Sequence, residues 1–180
     1  MFKMKRVIGV LTAAVSIAAL ASAPAGASIN LVITAGTLNF DGGAPSIGNF
    51  SGVTLNGTPQ LTSLTVSPFT VVDATGSGDG WNVLLTVPDL TDGASHTILA
   101  SNISMTAPVV TAAGTASITN VVGHASAGGF NSGEKIVTAA AGDGEGTYLV
   151  APRILKLTIP VTTIQGTYTS AATIATVDGP

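Results

Sequence analysis

The stretch Asp73–Val87, DATGSGDGWNVLLTV, decides how the chain folds. Its second half alternates. Trp81, Val83, Leu85 and Val87 fall on one face of an extended strand, and Asn82, Leu84 and Thr86 fall on the other. The first face is the candidate core. Its first half is punctuated by Gly76, Gly78 and Gly80, residues that tolerate the left-handed backbone of tight turns. The stretch therefore reads as a tight turn feeding a strand, with Trp81 as the first anchored residue.

The same grammar runs through the rest of the chain. Thr, Val and Ile are abundant, Gly or Pro recurs every few residues, and no window sustains a helical apolar stripe. Strands are expected near 29–34, 52–56, 61–66, 70–73, 81–88, 97–105, 116–122, 135–139, 153–159 and 166–177. In RILKLTIP, Leu155, Leu157 and Ile159 share the inward face, while Ile154, Lys156 and Thr158 point outward. Many short strands divided by turn signals such as Asp41-Gly42-Gly43, Asn56-Gly57 and Asp92-Gly93 imply an all-β chain. The expected architecture is a single β-sandwich, Greek-key-like or barrel-like.

The N-terminus has the pattern of a secretory signal. Lys3, Lys5 and Arg6 precede an apolar run from Val7 to Leu20, and Ala25-Gly26-Ala27 supplies small residues for cleavage. Ala21-Ser22-Ala23 is a rival site, disfavoured by Pro24. The apolar run is short for a membrane span, which needs about 20 residues. Residues 1–27 are thus expected to be a signal peptide and residues 28–180 the mature domain, with no membrane span in the mature chain.

Charged residues make up 8% of the chain, against about 25% in ordinary domains. Cleavage after Ala27 would leave three basic residues, Lys135, Arg153 and Lys156, against nine acidic ones, a balance of −6. So few cations cannot neutralise a phosphate backbone, which argues against nucleic acid. The chain has no cysteine, hence neither disulfides nor a site for a lipid anchor. Between Asp92 and Glu134 no Asp, Glu, Lys or Arg occurs. That interval is either a plain small-residue surface or a face for self-association.

Catalytic signals are weak. Neither His96 nor His124 sits in a recognisable nucleophile motif, no GxSxG elbow is present, and no enzyme activity is expected. GSGDG lacks the following helix and lysine of a phosphate loop. Calcium is the metal that Asp73 and Asp79 in one glycine-rich loop, or Asp143 and Glu145 in another, could take. Neither loop has an EF-hand register, and isolated Asp-Gly pairs are usually turns, so neither a metal nor a cofactor is expected. Trp81 could stack on a sugar ring, but its continuity with an apolar strand face favours a core or corner position.

Taken with the C-terminal segment, this stretch resembles a known family. VVDATGSGDGWNVLLTV is similar to the proximal motif of the WxL-domain proteins of bacterial cell surfaces, with Asp73, Gly76, Gly78, Gly80, Trp81 and Val83 in its frame. FSGVTLNGTPQLTS resembles the strand-turn-strand before that motif. LKLTIPVTTIQGTYTSAATIATVDGP resembles the family's C-terminal segment, with Tyr168, Thr173 and Pro180 in place. The family's distal tryptophan motif is replaced by Ile174, Ala175 and Thr176. The resemblance implies a secreted β-domain held non-covalently on the cell wall, by peptidoglycan or another wall polymer, in the company of partner surface proteins. It also implies that Trp81, Val83 and Tyr168 form the wall-binding end, with Trp81 fixing the loop 73–80 and Tyr168 packed beside it. The alternatives are a self-assembling surface fibre or surface-layer subunit, and another kind of carbohydrate-binding module.

Overall fold

The computed structural model describes residues 30–180. The expected signal peptide lies outside the described residues. Thr34–Pro180 forms one compact unit.

The unit is all-β. Its strands are β1 (Leu38–Asp41), β2 (Gln60–Val66), β3 (Phe69–Asp73), β4 (Trp81–Thr86), β5 (Leu90–Thr91), β6 (Thr97–Ile98), β7 (Ile103–Met105), β8 (Val110–Ala113), β9 (Val121–Gly123), β10 (Ser126–Ala127), β11 (Glu134–Ala139), β12 (Gly146–Val150), β13 (Arg153–Ile159) and β14 (Thr173–Asp178). Two single turns of 3-10 helix, Ala100–Asn102 and Phe130–Ser132, are the only helical elements among the described residues. No helix among them is long and apolar enough to cross a membrane.

Three four-stranded antiparallel sheets, ordered β1-β3-β12-β8, β10-β7-β13-β2 and β14-β4-β11-β9, share one core, and β5 and β6 make a small hairpin. The sheets are layered as in a sandwich and do not close into a barrel. Almost every pairing joins strands distant in sequence. β2 runs the length of β13, from Gln60 opposite Ile159 to Val66 opposite Arg153.

Alternation explains which side chains reach the core. In β13, Leu155, Leu157 and Ile159 are buried while Ile154 is half exposed, as the sequence predicts. In β4, Trp81, Val83 and Leu85 are all fully buried. β11 breaks the rule, because Ile136 and Val137 are adjacent and both buried. The register with β4 shifts between Lys135 and Val137, and this bulge lets two successive side chains turn inward.

Several expected strands differ. The stretch 97–105 is β6, a 3-10 turn and β7, and 116–122 holds strand only from Val121. The stretch 166–177 becomes strand only at Thr173. β1, β5, β8, β10 and β12 were not expected. β12 hides in AGDGEGTYLVAP, where closely spaced glycines and a following proline mask five strand residues. Of the expected strand 29–34, the described residues 30–34 belong to no strand, and neither do residues 52–56, also expected as a strand.

Candidate functional site

The candidate site is the corner where the loop 73–80 enters β4. Asp73 opens it. Its Oδ1 accepts hydrogen bonds from the Thr75 amide (3.0 Å) and the Thr75 hydroxyl (2.7 Å), an Asx turn closed by the carboxylate itself. The chain then steps through Gly76, Gly78 and Gly80, each at positive φ (64°, 71° and 74°). A Cβ on Gly80 would also strike the Ala139 carbonyl, so no other residue fits where β4 meets β11. The alternate glycines of the motif are therefore a backbone requirement.

Trp81 closes the corner from inside. Its indole Nε1 donates to the Gly144 carbonyl at 2.8 Å, tying the first loop to a second one at 140–146. The Gly142 amide donates to the Gly78 carbonyl at 2.7 Å and joins the same two loops. Gly144 has φ 91°, and a Cβ there would lie 2.7 Å from the indole nitrogen. The ring packs against Tyr148, with centroids 5.5 Å apart and planes tilted by 56°. The Tyr148 hydroxyl lies 2.8 Å from the Ser117 carbonyl and 3.2 Å from that of Glu145. Burial holds the Tyr148 phenol above its ordinary value of 10.0, and the carboxylates of Asp143, Asp73 and Glu145 push the same way.

β14 completes the corner. It pairs with β4 from Thr173 opposite Thr86 to Asp178 opposite Trp81, and the Gly179 amide donates to the Gly80 carbonyl at 2.9 Å. The Asn82 side-chain amide donates to the Gly179 carbonyl, while its Oδ1 is buried without a partner among the described residues. The two segments that carry the family resemblance are thus neighbouring strands of one sheet.

Two expectations about this corner need correction. Trp81 and Val83 are fully buried, so neither offers a surface to a polymer. Tyr168 does not pack beside Trp81. Because β14 runs antiparallel to β4, the residues before Thr173 lie beyond the Thr86 end, where Thr169 bridges Thr91. Tyr168 is partly exposed there, and its hydroxyl donates to the Ile164 carbonyl at 3.0 Å. The tyrosine beside the indole is Tyr148, which the sequence reading passed over. The clue was available, since AGDGEG before Tyr148 repeats the glycine-acid composition of the loop before Trp81.

The acidic loops do not converge on an ion. Asp73 is committed to Thr75, Asp143 Oδ2 accepts from Asn120 Nδ2 at 2.8 Å, and Asp79 and Glu145 are exposed. Among the described residues no group of three or more His, Asp or Glu side chains could hold a metal. His96 Nδ1 lies 2.6 Å from Asp92 Oδ2, and His124 Nε2 lies 2.8 Å from Thr138 Oγ1. Neither histidine is hydrogen-bonded to a serine hydroxyl. The corner is packed shut, and its chemistry is that of a clasp.

The outward face of β14 is open, whereas on β4 Asn82 is buried and Leu84 and Thr86 are half-buried. Thr173, Ala175 and Val177 on β14 are exposed, and across the register they meet Thr86, Leu84 and Asn82 on β4. Comparison with known proteins adds no likeness to these features: no protein-family model, curated protein or solved structure matches the chain.

Proposed function

We propose that the protein is a secreted, non-catalytic module that associates non-covalently with the bacterial cell wall. The observation that carries this reading is the β4–β14 pairing, which makes one structural unit of two sequence segments resembling WxL-domain motifs. The motif residues act from inside. Trp81, Gly80 and Gly144 hold the corner rigid, and Ile174, where the family has its distal tryptophan motif, also points inward at 9% exposure. The missing second tryptophan is therefore a change in packing and removes no exposed platform.

On this reading the polymer lies along the outward face of β14 and β4, over Thr173, Ala175, Val177 and Leu84. Short hydroxylated and apolar side chains on an antiparallel face suit a sugar polymer, which offers both C–H faces and hydroxyl groups. The test is co-sedimentation with purified cell walls. The native protein should pellet with walls, and Ala175→Asp with Val177→Asp should lower retention at least about tenfold while the unfolding midpoint stays unchanged. A native protein that stays in the supernatant would sink the proposal.

A further inference from the structure

Two segments of strand-like composition have no strand partner among the described residues. One is the arm ahead of β1. Leu31, Val32 and Ile33 are 82%, 86% and 83% exposed, and pairing with β3 begins only at Gly36, whose amide donates to the Ala74 carbonyl. The other is Gly52–Leu55, exposed throughout, with no backbone hydrogen bond to any described residue. Gly52–Leu55 forms one rim of a groove of about 670 Å³, and 163–167 forms the other. The floor holds Ile98, Leu157 and Ile159, all nearly buried, and no charged side chain lines the groove.

We propose that this groove receives the arm of a second copy of the chain by β-strand addition, so that copies join head to tail. The complementarity is chemical and geometric. Residues 30–35, Asn-Leu-Val-Ile-Thr-Ala, carry no charge, and in an extended strand Leu31, Ile33 and Ala35 share one face. That face meets the apolar floor, while the arm backbone satisfies the free amides and carbonyls of Gly52–Leu55. The arm spans roughly 20 Å at about 3.3 Å per residue, enough to lie along the groove. Neither partner has the lysines or prolines that normally guard an unpaired edge. Because arm and groove are different surfaces, the contact is heterologous and builds a chain of subunits, open unless its rotation closes it into a ring. This inference stands apart from the wall reading, and either can hold without the other.

The experiment is sedimentation of the exported, naturally processed protein and of two variants over a wide concentration range. Leu31→Asp with Ile33→Asp disables the arm. Val53→Asp with Ile164→Asp disables the groove at two exposed rim positions, and unchanged Trp81 fluorescence shows that each variant folds. Should the rim pair perturb that emission, Thr54→Pro replaces it, removing a rim amide without touching the floor. The native protein should grow in mass with concentration. Each variant alone should remain a monomer at concentrations about 100-fold above the native midpoint. An equimolar mixture should form a one-to-one dimer and stop, since one intact arm then meets one intact groove. A native protein that is monomeric at every concentration, an arm variant that still polymerises, or a mixture that stays monomeric would each overturn the proposal.

Discussion

Trp81 does two jobs that substitutions can separate. The ring fills the space against Tyr148, and its N–H satisfies the Gly144 carbonyl. Trp81→Ala loses both, and the cavity left in a fully buried site should cost about 3–5 kcal/mol. Trp81→Phe keeps much of the apolar contact but strands a buried carbonyl, which should cost about 1–3 kcal/mol in unfolding by urea. Equal losses would mean that the ring's packing contributes nothing beyond the hydrogen bond. The tyrosine beside it gives a pH signature. A phenol held above 10.0 keeps its proton longer in the folded protein than in the unfolded chain. Its contribution to stability is therefore complete below about pH 10 and is lost as pH rises through the folded-state value. Titration of tyrosinate absorbance should show a late-ionising tyrosine, and Tyr148→Phe should remove that step. A native titration that Tyr148→Phe leaves unshifted at its alkaline end would contradict the buried assignment.

At the scale of elements, alternation was the legible signal and pairing was not. β13 and β4 could be read because each carries three or more inward apolar side chains at spacing two. β1 and β8 could not, being four-residue strands beside glycine or rich in alanine, with no run long enough to set a period. Nothing local states that β14 lies against β4, since that contact crosses about half the chain and is fixed by core packing. For the same reason the corner was half legible. The glycine spacing announced the turn, but its aromatic partner sits on β12, a strand the sequence hid. The β14 alternation makes a sharp prediction. Ile174 is its inward apolar residue, so Ile174→Ala should cost about 2–4 kcal/mol. Ala175 faces solvent one residue later, and Ala175→Thr should stay within about 0.5 kcal/mol of the native protein. Comparable losses at both positions would mean that the strand is slipped by one residue.

For the whole molecule, charge decides how the proposed attachment to a wall would work. The processed chain expected from the sequence carries a balance of −6, with Lys135, Arg153 and Lys156 as its basic side chains. A wall polymer rich in carboxylate or phosphate repels such a protein at long range, and Thr173, Ala175 and Val177 on the outward face of β14 are uncharged. Attachment through that face would rest on short-range contact between uncharged surfaces. Salt then screens a repulsion, so retention on purified walls should hold or rise between low and physiological ionic strength, where the screening length falls to about 8 Å. Urea should release the protein, because it weakens apolar and peptide contacts together. The discriminating measurement is the bound fraction across a sodium chloride series, followed by a urea series at fixed salt. Stripping by salt alone would mean that cations make the contact, and would move the site away from the β14–β4 face towards Lys135, Arg153 or Lys156.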